Sequence, residues 1–164
     1  MKDEILNSLG LFMRNLRELV GDLDDAQMAE QPPGVPNHPA WTVGHIAFSF
    51  QGISEELGLE PWLPEDWEKR FGTGTTPAQD TKAYPGKREL LGTLADAERR
   101  VRERLLRLDE AALRDPLPDE RVREILPTLG HAVLHVLVGH TAAHLGQLAV
   151  WRRAMGLPPA TIII

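Results

Sequence analysis

The stretch GHTAAHLGQLAVWRRAMGLP, residues 139–158, decides the fold of this chain, because it ends a long helix and carries two histidines. Apolar residues recur at helical spacing from about Pro127 or Thr128 to Met155, which predicts one long helix. Gly156, followed closely by two prolines, ends that helix. A helix of this length needs neighbours that cover its apolar face, so the stretch predicts a helical bundle.

The two histidines of this stretch, His140 and His144, share one face of the helix. At about 100° per residue they fall in its apolar sector. The other residues of that sector are Leu126, Leu129, Val133, Val136, Gln147 and Trp151. Burying two imidazoles there costs free energy unless they are hydrogen-bonded, paired or metal-bound. Two interpretations follow from the spacing: satisfied core histidines, or ligands for zinc, nickel, copper or iron.

A second pair, His131 and His135, has the same four-residue spacing but falls on the opposite side of the helix. That side carries small or polar residues, among them Ala142 and Arg153. We therefore expect His131 and His135 at the surface. The stripe is small enough to pack against a second copy of the chain.

The rest of the chain contains three further long helical patterns and no strand pattern. The predicted helices run over residues 3–20, 39–57 and, from Pro85 or Gly86, to 108. A short helical turn is expected at residues 23–30. Residues 59–84 read as a long irregular segment, a type of segment that often borders a binding site. The prediction is an all-α fold, a four-helix bundle with long connections, in a single domain over residues 1–164.

A metal site that keeps a position open for chemistry commonly has three protein ligands. The candidate for the third is His45, on the second long helix. Its face is mostly apolar and carries Trp41, Phe48 and Ser49. His38, at the start of the same helix, is the weaker candidate and is expected to lie at the surface or to cap the helix, a role for which Asn37 is the alternative.

Composition excludes several classes of function. The formal net charge of -6 argues against a nucleic-acid partner, which requires a basic surface. The chain has no cysteine, so disulfides, cysteine-ligated zinc and a protein thiol nucleophile are excluded. We see no signal peptide and no apolar run long enough to cross a membrane, and therefore expect a cytoplasmic protein with no membrane partner.

Two motifs together resemble the DinB/YfiT-like metalloenzyme superfamily. The first is NHPAWTVGHIAFS at residues 37–49, and the second is the stretch at residues 139–158. The resemblance covers essentially the whole chain and includes YPGKREL before the third long helix. It implies a four-helix bundle that is often dimeric, a link to stress response, and a divalent metal ion, most simply zinc or nickel. The family's three histidine ligands map onto His45, His140 and His144.

The resemblance also implies an activity. Some relatives are S-transferases or isomerases that use a low-molecular-weight thiol such as bacillithiol, mycothiol or glutathione. The hypothesis is therefore a metal-dependent thiol S-transferase in which the metal lowers the pKa of the thiol of a small-molecule substrate. The alternatives are metal-assisted hydrolysis of an amide or ester, with Glu55, Glu56, Glu65 and Asp66 as candidate bases by region only, and a non-catalytic bundle that binds a metal or ligand.

Four residues are candidates for supporting the metal or contacting the substrate: Gln147, Trp41, Ser49 and Tyr84. Gln147 lies one turn beyond His144 and can hydrogen-bond a ligand or an imidazole. Its alternative role is a polar group in helix packing. For the aromatic residues of segment 59–84, the alternatives are to cover a cleft or to pack against helix ends.

Overall fold

The computed structural model describes residues 1–162 and contains four long helical columns. Ile163 and Ile164, most of the apolar tail, lie outside the described residues. Ile162 packs against the core. The α-helices are α1 (Lys2–Val20), α2 (Asp25–Met28), α3 (Pro39–Glu56), α4 (Trp67–Phe71), α5 (Lys87–Arg107), α6 (Leu129–Leu134) and α7 (Thr141–Ala154). Within residues 1–162 the only extended pairing is one isolated bridge between Pro116 and Thr128. The prediction of an all-α four-helix bundle is confirmed.

The long helices begin and end within a few residues of the ends that the sequence predicts. The side chain of His38 accepts a hydrogen bond from the backbone N–H of Trp41 and so caps α3, with Pro39 in the first turn. Gly58, at φ +84°, ends this helix in the left-handed region that glycine adopts at little cost. Helix α5 buries residues three or four apart, such as Leu90, Leu94 and Ala97, and exposes a charged face with several Arg–carboxylate pairs.

The fourth column is continuous from Leu129 to Ala154 but is not a regular α-helix throughout. Residues His135–His140 form a π-helical turn between α6 and α7. The Thr141 hydroxyl donates to the carbonyl of Val136 at 3.0 Å, which gives that carbonyl a partner. In a π turn the backbone hydrogen bonds span five residues instead of four, so residues five apart lie nearer to one face than they do in an α-helix.

The long helices pack so that α3 lies between α5 and the fourth column. Helix α1 packs on α7 and on the π turn. The core consists of the apolar stripes that face one another across these contacts, and its largest fully buried side chains include Trp151, Phe50 and Phe71. This packing brings the middle of α3 against the start of α7, where His45, His140 and His144 lie.

The segment at residues 59–84 is more ordered than the sequence predicts. It contains α4 and a 3₁₀ turn at Thr81–Ala83. The prediction of an irregular segment is wrong for these residues, because Trp67 and Phe71 bury their rings against the bundle and hold a short helix between them. Segments this short are stabilised by packing and carry no long periodic pattern.

The column Leu129–Ala154 is also long and apolar enough to cross a membrane, judged by length and composition alone. The prediction that no apolar run is long enough to cross a membrane therefore does not hold for this helix, as far as length and composition go. One such helix is weak evidence, since core helices of globular proteins share these properties.

Candidate metal centre

Three imidazoles from two helices converge at the contact between α3 and the fourth column. The Nε2 atom of His140 lies 3.0 Å from Nε2 of His45 and 3.1 Å from Nε2 of His144. One ligand atom from each ring lies within 4.8 Å of the other two. Among the described residues this group contains imidazoles only and no carboxylate. The structure therefore brings together the three histidines that the sequence singled out.

Hydrogen bonds behind two of the rings determine which nitrogen faces the centre. Nδ1 of His45 donates to the backbone carbonyl of Phe71 at 2.6 Å. Nδ1 of His144 donates to the side-chain oxygen of Gln147 at 3.0 Å. A carbonyl oxygen can only accept, so each Nδ1 carries the proton and each Nε2 keeps its lone pair. This is the arrangement in which histidines bind metals through Nε2.

Gln147 is itself held in place, because its side-chain oxygen also accepts a hydrogen bond from the Asn37 amide at 3.0 Å. Asn37 precedes the cap of α3, so this pair of hydrogen bonds joins the start of α3 to α7. The geometry shows Gln147 in both of the roles considered for it, because it hydrogen-bonds an imidazole and also joins two helices.

The third imidazole, His140, is placed by the π turn. Its Nδ1 is buried and has no hydrogen-bond partner in the described structure. The same turn brings the ring of His135 to 6.3 Å from the ring of His140, centre to centre. His131 and His135 are exposed, as predicted. The ring of His135 nevertheless lies near that of His140, because a π turn brings residues five apart nearer to one face than an α-helix does.

Trp41 forms one wall of the centre. Its ring stacks on that of His45, with centroids 4.5 Å apart and planes 12° apart, and its indole N–H donates to the Thr75 hydroxyl at 2.8 Å. Ser49, one turn beyond His45, donates its hydroxyl proton to the His45 carbonyl at 2.9 Å. Trp41 thus contacts a histidine of the centre directly, whereas Ser49 contacts the backbone of one and lines the adjoining cleft.

Tyr84 lies behind the centre rather than in it. Its hydroxyl accepts from the backbone N–H of Ala78 at 2.7 Å, and its ring packs edge-on against His38 at 4.9 Å. The His38 imidazole also donates to the Ala78 carbonyl at 2.9 Å. His38 is fully buried, so its predicted capping role holds and its expected surface position does not. These contacts tie the segment that follows Phe71 to the start of α3.

Burial and mutual repulsion keep the three imidazoles uncharged. Burial, followed by the repulsion of the His144 and His45 rings, lowers the pKa of His140 to about 3. Burial, followed by the repulsion of the His45 ring, lowers the pKa of His144 to about 4, and the hydrogen bond that His144 donates to Gln147 opposes this. Burial also lowers the pKa of His45, and the hydrogen bond to Phe71 opposes this. At neutral pH all three rings are neutral and can act as nitrogen ligands.

The donor set fits a first-row divalent ion. Zinc–nitrogen bonds are about 2.0–2.1 Å long, so two nitrogens of a tetrahedral zinc site lie about 3.4 Å apart. The two Nε2 separations from His140, 3.0 and 3.1 Å, are a few tenths of an ångström shorter, so a small outward shift of the rings makes room for an ion. Imidazole nitrogen suits zinc, nickel, copper and iron, whereas magnesium and calcium require oxygen ligands. The residues present can therefore hold a transition metal and do not select between zinc and nickel.

A cleft of about 880 Å³ adjoins the centre, and His140 is part of its wall. It lies between α3, the π turn and two connecting segments, residues 61–73 and 117–126. Gln51 holds the first of these segments, because its side-chain oxygen accepts from the backbone N–H groups of Trp62 and Leu63 at 2.9 and 2.7 Å. The cleft is large enough for a small organic molecule.

Some members of this arrangement were not found from the sequence. Phe71 ends the short helix α4, and Thr75 lies in the connection that follows it. A hydrogen bond to a backbone oxygen does not depend on the type of residue that carries the oxygen, so the sequence does not reveal it. Asn37 does stand in the motif at residues 37–49, beside His38, but its pairing with Gln147 spans 110 positions. Its place immediately before a helix cap was the one available signal.

A helical bundle with three convergent, neutral imidazoles beside a small-molecule cleft is the arrangement expected of a protein that can bind a divalent metal. Comparison with known proteins agrees with this class. The profile of the DinB superfamily matches residues 11–148. The chain therefore belongs to the DinB superfamily.

Comparison of folds gives the same architecture. A crystal structure of a conserved protein from Enterococcus faecalis superposes with a TM-score of 0.77 at 19% sequence identity. The alignment covers 95% of this chain and 98% of that one. At this identity the likeness shows the fold alone. No curated protein matches the chain.

Proposed function

We propose that this protein is a metal-dependent transferase that binds a divalent ion, zinc or nickel, through His45, His140 and His144, and acts with a low-molecular-weight thiol. The observation that carries the proposal is the convergence of three neutral imidazole nitrogens at the wall of a cleft of about 880 Å³. A divalent ion held there supplies Lewis-acid chemistry, lowering the pKa of a thiol so that it becomes a nucleophile at neutral pH.

The chain's own residues prepare the site for this chemistry. The Phe71 carbonyl orients the ring of His45, and the Gln147 side chain orients that of His144, so that each Nε2 faces the centre. The rings therefore need little reorganisation when a metal binds. Trp41 covers one face of His45 and excludes water from it. Ser49 lines the cleft, and its hydroxyl oxygen can accept a hydrogen bond from a substrate. The absence of cysteine requires the sulfur to come from the substrate.

Hydrolysis is the second enzyme hypothesis. Glu55, Glu56 and Glu65 line the cleft, whereas Asp66 pairs with Arg70 at the surface. A hydrolase requires a general base close to the activated water. No carboxylate belongs to the histidine group in the part of the chain that the structure describes, so hydrolysis would depend on a glutamate of the cleft, whereas activation of a thiol by a metal needs no such base. A non-catalytic metal-binding bundle is the remaining alternative, and turnover separates it from both enzymes.

The first experiment is elemental analysis of untagged protein. We expect about one equivalent of zinc, nickel or a similar ion in the wild type, and none in His140→Ala/His144→Ala. His131→Ala is the matched control, because this exposed histidine lies outside the centre and should leave the metal content unchanged. Metal-loaded protein should then accelerate transfer of a small thiol to an electrophile, and the double variant should not.

Absence of metal from reconstituted wild type would end the metal-dependent hypothesis. Metal without thiol transfer, but with hydrolysis of activated esters, would support the hydrolase instead. Metal with neither activity would favour the non-catalytic bundle.

The other expectations stay predictions. The size of the cleft favours a small-molecule substrate, and the net charge of -6 disfavours nucleic acid. Cytoplasmic location and pairing of two chains rest on the resemblance and on composition, and light scattering at several concentrations tests the pairing.

A further inference from the structure

The cleft beside the centre has an apolar wall that no other part of the described chain covers. Phe48 and Leu63 contribute to it from α3 and from the segment after it, and Leu126 and Val136 contribute from the opposite side. All four side chains are only partly buried, so they present apolar surface to the cleft. A ligand with an apolar body gains free energy by covering such a surface.

The charge of the same cleft is strongly one-sided. Five carboxylates and one guanidinium line it, a difference of four formal negative charges, and the Arg123 guanidinium acts on Asp119 from just outside the lining. The carboxylates are Glu55, Glu56, Glu65, Glu68 and Asp119, and the guanidinium is Arg121.

The single guanidinium does not neutralise the other carboxylates. Arg121 binds Asp119 through two side-chain hydrogen bonds, of 2.9 and 2.7 Å, and its side chain is 88% exposed. The carboxylates of Glu55, Glu65 and Glu68 form no hydrogen bond or ion pair within the described structure. Uncompensated carboxylates around a partly enclosed apolar cleft attract cations and repel anions.

From this combination we infer that the cleft selects a cationic amphiphile, a molecule with an apolar body and an ammonium or guanidinium group. The body lies against the wall formed by Phe48, Leu63 and Val136, and the cation lies among the three unpaired glutamates. The end nearest His140 is the end that reacts, a point that rests on the proposed function. Anionic molecules of the same size bind this part of the cleft more weakly, because the same carboxylates repel them.

The test uses three probes with one apolar body: 4-phenylbutylamine, 4-phenylbutanol and 4-phenylbutyrate. Binding is followed by calorimetry at pH 7.5 in metal-free protein with EDTA present, so that no probe can bind through a metal ion. The ammonium compound should bind about tenfold more tightly than the alcohol, because several carboxylates act on it together. The carboxylate compound should bind most weakly. Added salt should reduce the preference for the ammonium compound.

Two triple variants distinguish an effect of the cleft carboxylates from an effect of the net charge of the whole protein. Glu55→Gln/Glu65→Gln/Glu68→Gln should reduce ammonium binding about tenfold and leave the alcohol unaffected. The matched control changes three exposed glutamates outside the cleft, by the substitutions Glu18→Gln, Glu30→Gln and Glu89→Gln. It removes the same net charge and should change ammonium binding by less than about twofold.

Equal affinity for the three probes, or an equal loss in both triple variants, would overturn the inference. The result is separable from the proposed function. His140→Ala/His144→Ala should lose its metal yet retain the preference for the ammonium compound, because the unpaired glutamates remain. A wild type that lacks metal but prefers the ammonium compound would refute the proposed function and leave the charge selectivity standing.

Discussion

Gln147 orients a candidate metal ligand, His144, without being a ligand itself. Its side-chain oxygen accepts from Nδ1 of His144 and from the amide of Asn37, both at 3.0 Å. The first bond fixes the tautomer and the direction of the ring. The second prevents Gln147 from turning away. We therefore expect the affinity of the centre for a metal to depend on a residue that contributes no ligand atom.

Replacing Gln147 with Leu removes this acceptor and should weaken metal binding by about 10- to 100-fold. Gln147→Glu keeps an oxygen that accepts from Nδ1 and should retain most of the affinity. Competition with a chromophoric chelator measures the dissociation constants. Gln79→Leu is the control at an exposed position outside the centre. Equal affinity in Gln147→Leu and wild type would show that His144 needs no orienting partner.

At the scale of elements, the close contact between α3 and α4 supports the centre. A Cβ atom at Gly44 would overlap the Phe71 ring, so only glycine lets that ring lie directly on α3. The indole N–H of Trp67 also donates to the Gly44 carbonyl at 3.1 Å. The carbonyl of Phe71 in turn accepts from His45. Gly44 thus allows α4 to approach α3 closely enough for the Phe71 carbonyl to hold the imidazole of the next residue, His45.

Gly44→Ala should therefore displace the Phe71 ring and lower the free energy of unfolding by about 1–3 kcal/mol, the usual cost of overpacking a core. Urea denaturation measures this change. The variant should also bind metal more weakly, because the Phe71 carbonyl moves with its ring.

Gly92→Ala, on the exposed face of α5 with no atom near the added methyl group, is the matched control. It should raise the stability by about 0.5–1 kcal/mol, since alanine is the better helix former. A Gly44→Ala variant as stable as Gly92→Ala would contradict the close-contact argument.

At the scale of the whole molecule, Arg152 joins three separate parts of the chain. Its guanidinium donates to both carboxylate oxygens of Asp22, at 2.6 and 2.9 Å, and to the carbonyls of Leu19 and Pro158. The Arg152 side chain is only 5% exposed, whereas that of Asp22 is 55% exposed. These bonds connect the end of α1, helix α7 and the C-terminal segment, and Asp22 supplies the opposite charge that the buried guanidinium needs.

The hydrogen bond from Arg152 lowers the pKa of Asp22 in the folded protein. The pair therefore stabilises the fold fully above the unfolded-state pKa of about 3.9, and the stabilisation is lost as pH falls through the lower folded-state pKa. Asp22→Asn should cost about 1–2 kcal/mol at pH 7, a modest figure because water reaches the carboxylate.

Urea denaturation between pH 2.5 and 7, roughly the range over which an aspartate titrates, should show wild type and Asp22→Asn converging at the acid end. Asp115→Asn, which removes an exposed carboxylate that forms no ion pair, should match wild type throughout. A stability difference for Asp22→Asn that does not depend on pH would argue against a role for the charge.

Much of this fold was predictable because long helices that bury one face carry a regular repeat of apolar residues in their sequence. The apolar spacing placed α1, α3, α5 and the fourth column within a few residues of their observed ends. The same spacing placed His140 and His144 on the inner face. Short elements produce no such repeat, so the sequence did not predict α4. The π turn, which brings His135 towards His140, departs from the regular 3.6-residue repeat and was not predicted either.

By itself, then, the sequence determined the all-α class, the helix ends, and the chemistry of the candidate ligands, because these depend on residue type and local periodicity. Only the tertiary structure decided that Nε2 of His45 lies 3.0 Å from Nε2 of His140, and that Phe71 and Gln147 orient the rings. Only it joined the glutamates and the apolar wall into one cleft. These relations bring together atoms that are distant along the chain, and packing rather than local propensity sets the distances between them.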